Sequence, residues 1–360
     1  MSRLYAGGVL RASRWVAQFC ITLAVSLVLA ASSRAQEPSR LPHLTMAFTG
    51  DISFAGRDAI ATSTLPEAQD PLRFLRSTLA GADFTVANLE CVFTQQDFGR
   101  VPGHPALWAP PVWAQSLTRA GVDLVGVANN HSYDGGGHGL LESISTLREA
   151  GLQTFGGGAD DETARAFHRF ETPNGCIAIV PATTFVNQPT PAEPGRAAHY
   201  PRRIELYEQI RAAREACSFV VAYVHGGPQF VDMPTRSQRV LAHRAVDAGA
   251  QLVVAHHPHV LQGVEYYRGA AIAYSLGNLV FRNPRPMTFP TGVLVATLTR
   301  SPSPELVSLE LVPAYIDRQT YTPHPAGSRA RRMRRNLARM SRPLGTHLEL
   351  ANGRIRFLAP

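Results

Sequence analysis

Three apolar runs lie close together in the chain: VVAYVHGGPQF (220–230), GAQLVVAHHPHVLQGVE (249–265) and AIAYSLGNLVF (271–281). Short apolar runs bounded by Gly, Pro and polar residues predict buried β-strands. The apolar part of the first segment is Val220–Val224, which ends in His225. In the second it is Leu252–Ala255, which ends in His256, His257 and His259, and in the third it is Ala271–Tyr274, which ends in Ser275 and Asn278. Because ligands bind at the carboxyl ends of strands in α/β proteins, the three runs predict a sheet edge that carries a site.

The histidines at these strand ends share one explanation. A single histidine such as His225 is more often a core or surface residue than a ligand. His256, His257 and His259 fall within four residues of each other, however, and three imidazoles this close are rarely all structural. Neutral imidazole is the commonest metal ligand, so the cluster predicts a bound metal ion.

Alternating strands and helices are predicted along most of the chain. Further strands are predicted at 44–50, 82–87, 122–128, 152–155, 176–181, 292–298 and 306–311. Helices are predicted at 70–80, 111–120, 140–150, 204–216 and 236–248. This alternation predicts an α/β fold whose sheet interior is largely parallel.

Polar residues follow the first three of these strands as well. Asp51 follows the first strand, Asn88 and Glu90 follow the second, and Asn130 and His131 follow the third. A two-metal hydrolase uses carboxylate, amide and imidazole ligands to hold two cations about 3.5–4 Å apart. The mixed ligand set predicts one or two divalent transition metal ions, Mn, Fe, Zn or Ni, without choosing among them.

Each of these residues has a structural alternative. Asp51 after Gly50 can make a turn, and Asn88 can bond the backbone of its own turn. Glu90 can be a solvated residue beyond the strand end. A structural role for all of them together is disfavoured, because the polar residues recur at five separate strand ends.

Six motifs also occur in a specific order: GDISFAGR (50–57), ANLE (87–90), ANNHSYDGG (128–136), HGG (225–227), GAQLVVAHHPHVLQGVE (249–265) and YSLGNLVF (274–281). Over about residues 44–290 the chain resembles the CapA family of poly-γ-glutamate capsule proteins. That family has a calcineurin-like metallophosphatase fold. The resemblance implies an α/β sandwich of mixed sheets flanked by helices.

The resemblance implies roles for the earlier motifs. Asp51 matches the first metal-ligand Asp of metallophosphatases, but Ser53 stands where their next His is usual. Asn88 and Glu90 lie where the bridging Asp motif would be, and the bridging role is implied for Glu90. The missing His and the altered bridging residue leave open a single metal or a different geometry.

The later motifs supply the remaining implied roles. Asn130 matches the ligand of an Asn-His pair, and His131 matches its catalytic His. His225 matches a lone His ligand, while His257 and His259 match a His-x-His pair. Four further residues are candidates for an additional role: Asn88, Asp134, His256 and Asn278.

The N-terminus has the pattern of a secretory signal peptide. Basic residues precede an apolar run at 15–31, and the small-x-small pattern Ser33-Arg34-Ala35 precedes Gln36. The prediction is an exported protein, periplasmic or extracellular, whose mature chain begins near Gln36. The alternative is a membrane anchor formed by residues 15–31.

Two residue types limit the chemistry. All 35 basic residues are Arg, which excludes a Schiff-base or Lys-nucleophile mechanism. Beyond the predicted signal peptide the cysteines are Cys91, Cys176 and Cys217, which allow at most one disulfide. Cys176 and Cys217 open apolar runs and are interpreted as buried small hydrophobic residues.

Three regions are predicted: a signal peptide at 1–35, a CapA-like metallophosphatase-type domain at 44–300, and a C-terminal strand with an Arg-rich arm at 301–360. The basic residues of the arm are Arg329, Arg331, Arg332, Arg334, Arg335, Arg339 and Arg342. The arm is interpreted either as a solvated surface helix or as a contact for an anionic polymer or membrane phosphates. No nucleic-acid-binding motif is present, so no nucleic-acid partner is predicted.

Three functions are consistent with these features. The first is an exported metal-dependent hydrolase that acts on phosphoesters or on a capsule-type polymer. The second is a non-catalytic accessory protein that binds an anionic polymer during its synthesis or export, together with membrane-associated capsule machinery. The third and weakest is a polysaccharide deacetylase, whose early Asp-Asp signature is absent.

Overall fold

The computed structural model describes residues 43–57, 64–96, 106–172, 175–200 and 203–359. The predicted signal peptide, the alternative anchor and the cleavage position lie outside the described residues. Residues from His43 onward form one compact unit.

The larger sheet has ten strands. They are β1 (His43–Ile52), β2 (Phe84–Leu89), β5 (Leu124–Gly126), β6 (Gln153–Phe155), β15 (Asn278–Val280), β16 (Pro290–Thr299), β17 (Leu306–Ile316), β18 (Pro323–Pro325), β19 (His347–Ala351) and β20 (Arg354–Leu358). The main path runs β19-β20-β17-β16-β1-β2-β5-β6, with β15 beside β1 and β18 beside β17. β1, β2, β5 and β6 are parallel, whereas β16 pairs antiparallel with β1.

The second sheet has six strands. They are β8 (His168–Thr172), β9 (Gly175–Thr183), β11 (Phe219–His225), β12 (Leu252–His256), β13 (Val264–Tyr267) and β14 (Ala270–Ala273). The order is β13-β14-β12-β11-β9-β8, with parallel inner strands and antiparallel edges. Two short ribbons pair β3 (Val92–Phe93) with β4 (Trp108–Ala109) and β7 (Gly157–Gly158) with β10 (Arg196–Ala197).

The α-helices of the described residues cover the sheets. They are α1 (Arg76–Leu79), α2 (Ala114–Arg119), α3 (Gly136–Glu149), α4 (Asp161–Arg165), α5 (Arg203–Ala216), α6 (Arg236–Asp247) and α7 (Ala330–Ser341). In α5, the buried residues Leu206, Ile210 and Ala213 recur at helical spacing on one face. None of the helices in the described part of the chain is both long and apolar enough to cross a bilayer.

Buried side chains define three apolar layers. A central layer packs the two sheets together and includes Phe48, Ile179 and Val254. One outer layer joins the larger sheet to α1, α2 and α3, and the other joins the second sheet to α5 and α6. Every residue of β11 is buried, as expected for an inner parallel strand covered on both faces.

The fold class is the predicted one, an α/β sandwich of mixed sheets flanked by helices. The strands around residues 220–274 lie within one or two residues of their predicted limits. The helix predicted at 70–80 is reduced to Arg76–Leu79. The Asp70 carboxylate accepts a hydrogen bond from the Leu72 N–H at 3.0 Å, and this local bond favours turns before the helix.

The cysteines differ from the interpretation as small hydrophobic residues. Cys176 and Cys217 form a disulfide across a sequence separation of 41 residues. The bond joins the start of β9 to the segment between α5 and β11. β9 and β11 are neighbouring strands in the second sheet. Cys91 is a buried free thiol, and burial raises its pKa to about 12, which makes it unreactive.

The C-terminal segment contributes strands as well as an Arg-rich helix. β17 to β20 extend the larger sheet, and α7 contains most of the arginine run. On α7, Met333, Leu337 and Met340 are buried in the central layer. The exposed arginines of this helix and its flanks are Arg329, Arg331, Arg332, Arg335, Arg339 and Arg342.

Candidate metal centre

Parallel strands from both sheets end at one place. β1 and β2 of the larger sheet and β11 and β12 of the second sheet bring their carboxyl ends together, and the loop after β5 joins them. The side chains collected there are all buried: Asp51, Asn88, Glu90, Asn130, His131, His225, His256, His257, His259 and Asn278. The structure therefore gathers every residue that the sequence nominated for a metal or catalytic role, with Asp134 beside them.

Asp51 is held at the end of β1 by a close backbone approach. Its N–H donates to the Gly277 carbonyl at 2.8 Å, and a Cβ on Gly50 would lie only 2.4 Å from that oxygen. Gly50 is therefore required by the packing of the two segments. Asp51 Oδ1 accepts from Asn88 Nδ2 at 2.8 Å, and Oδ2 accepts from the His257 N–H at 3.2 Å.

Glu90 is fully buried, and neither carboxylate oxygen has a hydrogen-bond partner among the described residues. Its Oε1 lies 3.5 Å from His225 Nε2 and 3.8 Å from His259 Nε2, outside hydrogen-bond geometry. Burial raises the pKa of Glu90 to about 8, and the Asp51 carboxylate adds to the effect against opposing histidines. An unpartnered buried carboxylate is costly unless a cation balances it.

Glu90 belongs to two groups of potential ligand atoms. In the first it stands with His225 and His257, and in the second with Asp51 and His259. Within each group the ligand atoms lie within 4.8 Å of one another. The buried carboxylate and imidazole set fits divalent transition metals, and Glu90 is the residue common to both groups.

The amide oxygen of Asn130 lies beside the first group and is a further potential ligand atom. His225 Nε2 lies 2.7 Å from Asn130 Oδ1 and 3.2 Å from His257 Nδ1. Burial lowers the pKa of His257 to about 2, with neighbouring histidines contributing, and burial holds the pKa of His225 well below its usual value. Both imidazoles are therefore neutral, which is the form that binds a metal.

The second group is more polar. Burial opposes the charged form of His259, but Glu90 and Asp51 outweigh it and raise the pKa of His259 to about 9. Burial also opposes the charged form of Asp51 and would raise its pKa, but interactions with His256 and His259 hold this pKa well below its usual value. His259 Nδ1 lies 2.8 Å from Asn278 Oδ1, so Asn278 orients this ring.

Two of the histidines have strained backbones. His257 has φ of 95° and His259 has φ of 59°, both in the left-handed region. Such conformations persist where the surroundings fix them, and they cluster at functional sites. The strain here places two imidazoles, separated in the chain only by Pro258, into the same site.

His131 lies at the edge of the site with a carboxylate behind it. Its Nδ1 is 2.5 Å from Asp134 Oδ2, and the same oxygen accepts the Leu107 N–H at 2.6 Å. The His131 N–H donates to Asn129 Oδ1 at 3.1 Å. Asp134 therefore fixes the ring through Nδ1, and Nε2 is not in contact with this carboxylate oxygen.

The remaining candidates act on their neighbours. Asn88 Nδ2 lies between Asp51 and His225 Nδ1, the latter at 3.3 Å, so it orients both. His256 is fully buried, and its Nδ1 lies 3.2 Å from Asp51 Oδ1 without hydrogen-bond geometry. Ser53 is buried, and its hydroxyl accepts a hydrogen bond from the Ala55 N–H. The position at which metallophosphatases usually have a His therefore holds a serine that bonds to the backbone.

Two polar residues of the site, Asn129 and Asn187, were not identifiable from the sequence. Asn129 Nδ2 donates to the Leu89 carbonyl at 2.7 Å and ties the loop after β5 to β2. Asn187 Nδ2 lies 3.4 Å from His131 Nε2, and its N–H donates to the Asn130 carbonyl. Asn187 lies in a Pro-rich loop, whose position no local pattern could predict.

Comparison with known proteins gives a family and relatives. Residues 45–283 match the family described as bacterial capsule synthesis protein PGA_cap. The PGA biosynthesis protein CapA of Bacillus subtilis (strain 168) is 28% identical over 241 residues, which cover 66% of this chain and 63% of that protein. The capsule biosynthesis protein CapA of Bacillus anthracis is 29% identical over 249 residues, 66% of this chain and 60% of that protein. The chain thus spans less than two thirds of the length of these curated relatives.

Among solved structures, a novel phosphatase of Mycoplasma pneumoniae superposes with a TM-score of 0.48 at 16% identity. The superposition covers 78% of this chain and 96% of that one. At this score the likeness adds nothing to the strand order and site geometry described above.

The family match covers more than half of the chain and includes every candidate ligand from Asp51 to Asn278. Two mixed sheets, whose parallel strands end at a His/Asp/Glu cluster, give the chain an α/β sandwich fold with a candidate metal site. On the strength of the match over residues 45–283, the chain belongs to the bacterial capsule synthesis protein family PGA_cap.

Proposed function

We propose that this protein is an exported metal-dependent hydrolase of phosphoesters that works in the assembly of a bacterial capsule or exopolymer of the poly-γ-glutamate type. One observation carries the hydrolase proposal: Glu90, which is buried and has no hydrogen-bond partner among the described residues, is shared by two groups of ligand atoms. The names of the two relatives support the setting in capsule synthesis.

The residues divide into those that hold metal and those that serve the substrate. Asp51, Glu90, Asn130, His225, His257 and His259 would hold one or two divalent ions. A divalent ion bound there supplies Lewis-acid activation of an oxygen. The protein's own side chains must then donate a proton to the leaving oxygen.

His131 is placed to supply that proton. Asp134 orients the ring through Nδ1, so that Nε2 donates to the leaving oxygen of the ester. Asn187 covers the same ring edge and would position the substrate beside it. A positioned general acid contributes roughly 10²–10⁴-fold to the rate.

Export is supported by the Cys176–Cys217 bond, since disulfides persist mainly in oxidising compartments. In such a compartment the protein would meet membrane-associated capsule machinery. An anchor through residues 15–31 is the alternative to release.

The second candidate is a non-catalytic accessory protein that binds an anionic polymer. The exposed arginines of α7 favour it, because they form one basic face beside a packed apolar face. The serine at position 53, in place of a further imidazole, is consistent with a weaker metal centre.

The test compares wild type with His257→Ala and His131→Ala, by elemental analysis and by turnover of bis(p-nitrophenyl) phosphate, an aryl monoester and poly-γ-glutamate with added Mn²⁺. We expect His257→Ala to lose metal and activity, and His131→Ala to keep metal but lose most of its activity. Equal and negligible metal in all three proteins would overturn the metal centre. Metal without turnover of any substrate would favour the accessory function.

A further inference from the structure

Phe230, in the loop between β11 and α6, contacts both a candidate metal ligand and an arginine. Its ring stacks on the His259 ring with centroids 5.8 Å apart and an angle of 29°. The guanidinium carbon of Arg285 lies 4.3 Å from the centre of the same Phe230 ring. The distance from the Arg285 guanidinium carbon to the centre of the His259 ring therefore cannot exceed the sum of these two distances. Arg285 thus lies near the candidate metal centre.

The backbone of Phe230 is held in a strained conformation. Its φ is 62°, which is unusual for a bulky residue. Its N–H donates to the Pro258 carbonyl at 2.8 Å, and the Val231 carbonyl accepts from Gln262 Nε2 at 2.7 Å. Both bonds come from the segment that carries His257 and His259, so the ring is fixed relative to the metal centre.

The backbone of Arg285 is also fixed by hydrogen bonds. Its N–H donates to Asn283 Oδ1 at 3.1 Å, and its carbonyl accepts from the Thr288 hydroxyl at 2.8 Å. The side chain is exposed, and no carboxylate of the described residues forms an ion pair with it. An arginine laid on an aromatic ring keeps its N–H groups free to bind an oxyanion.

We propose that Arg285, positioned by Phe230, binds a negatively charged group of the substrate away from the bond that is cleaved, and so selects anionic substrates. This inference rests on the proposed function, which places the reacting ester at the metal centre. A carboxylate and a phosphate both match the planar fork of a guanidinium. The substrate class is therefore an ester with a second carboxylate or phosphate group about one aromatic ring away from the first.

The test measures equilibrium binding to the Mn²⁺-loaded full chain by calorimetry. The probes are phenylphosphonate, para-carboxyphenylphosphonate and para-phenylene bisphosphonate, which share a metal-binding end and differ in the remote group. A charge-assisted hydrogen bond predicts roughly tenfold tighter binding of at least one doubly charged probe by wild type. The two anionic probes distinguish a carboxylate from a phosphate.

Arg285→Gln should reduce that preference to about one. Arg285→Lys should keep part of it, because lysine retains the charge but not the planar stacking. The matched control is Arg268→Gln, since Arg268 lies 5.3 Å over Tyr267 in a comparable contact that involves none of the candidate ligands. This control should keep the preference of wild type.

Equal binding of all three probes by wild type overturns the inference, as does an unchanged preference in Arg285→Gln. A preference that Arg285→Gln abolishes, in a protein that hydrolyses no ester, supports the Arg285 site and contradicts the hydrolase proposal. Hydrolysis of bis(p-nitrophenyl) phosphate by a protein that binds all three probes equally supports the hydrolase proposal and contradicts the Arg285 site.

Discussion

Glu90 shows how a single residue can favour function over stability. A carboxylate in a protein interior is normally hydrogen-bonded, yet neither oxygen of Glu90 has a hydrogen-bond partner among the described residues. Its Oε1 lies 3.5 Å from His225 Nε2 and 3.8 Å from His259 Nε2, distances that allow a cation to bind between these atoms. Functional sites commonly carry such locally unfavourable residues.

We expect Glu90→Gln to stabilise the metal-free protein and to weaken metal binding. Glutamine has nearly the same shape but no charge, so at a pH above the Glu90 pKa of about 8 the substitution removes the cost of burying a carboxylate without hydrogen bonds, about 1–3 kcal/mol. Thermal unfolding in the presence of a chelator measures the first effect, and elemental analysis measures the second. A Glu90→Gln protein that is less stable than wild type in chelator would contradict this account.

Single residues also show where sequence reasoning succeeds. Asp51, His225 and His257 were identifiable because each follows an apolar run, and the ends of parallel strands meet at one edge. Asn187, Phe230 and Arg285 were not identifiable, since they reach the site from loops whose paths depend on tertiary contacts. The Cys176–Cys217 pair was missed because cysteine counts limit disulfides without assigning their partners.

Secondary-structure elements of the second sheet are joined by a buried carboxylate on β13. Glu265 accepts from the Tyr274 hydroxyl, just beyond β14, at 2.5 Å and from Arg239 on α6 at 3.0 Å. Burial would raise the pKa of Glu265, but Tyr274, Arg239 and His243 lower it below its ordinary value. Glu265 therefore connects a strand pair to the helix that covers it.

We expect Glu265→Gln to destabilise the protein at neutral pH by about 1.5–3 kcal/mol, the range for hydrogen bonds to charged groups. Because folding lowers this pKa, the stabilisation is present above the unfolded value of about 4.5 and is lost as the pH falls through the folded value. Urea unfolding of both proteins across the acidic range measures the difference. A stability gap that stays constant down to the lowest pH would show that charge is not the cause.

Strand limits were easier to predict than helix limits in this chain. The apolar runs that became β11, β12 and β14 are bounded by Gly or polar residues, so their ends are visible in the sequence. The start of α3 was not visible, because Gly136 and Gly137 belong to the helix although glycine is a poor helix former. Packing against Pro194 leaves no room for a side chain at Gly137, which explains the glycine.

The whole molecule is constrained by one covalent link. The Cys176–Cys217 disulfide closes a loop that contains β9, the Asn187 segment and α5. Loop closure restricts the unfolded chain, and the chain-entropy account gives about 2–4 kcal/mol for a link of this span. The link also fixes the two ends of the segment that covers His131.

We expect Cys176→Ser/Cys217→Ser to lower the free energy of unfolding by about 2–4 kcal/mol. Wild type treated with a reductant should behave like the double variant, and the double variant should not respond to reductant. Urea unfolding with and without dithiothreitol measures both effects. If wild type unfolds identically in the two conditions, the disulfide does not form in the folded protein.

The spread of the ligands along the chain has a consequence for maturation. Asp51 lies near the start of the described chain and His259 more than two hundred residues later, on different sheets. A partial chain that lacks β12 also lacks His257 and His259 and so has neither group of candidate ligands complete. A metal bound at this candidate centre would therefore be taken up after the two sheets have docked. A polypeptide that crosses a membrane unfolded would therefore acquire its ion on the far side, and the metal present in that compartment, rather than the cytoplasmic pool, would determine which ion it carries.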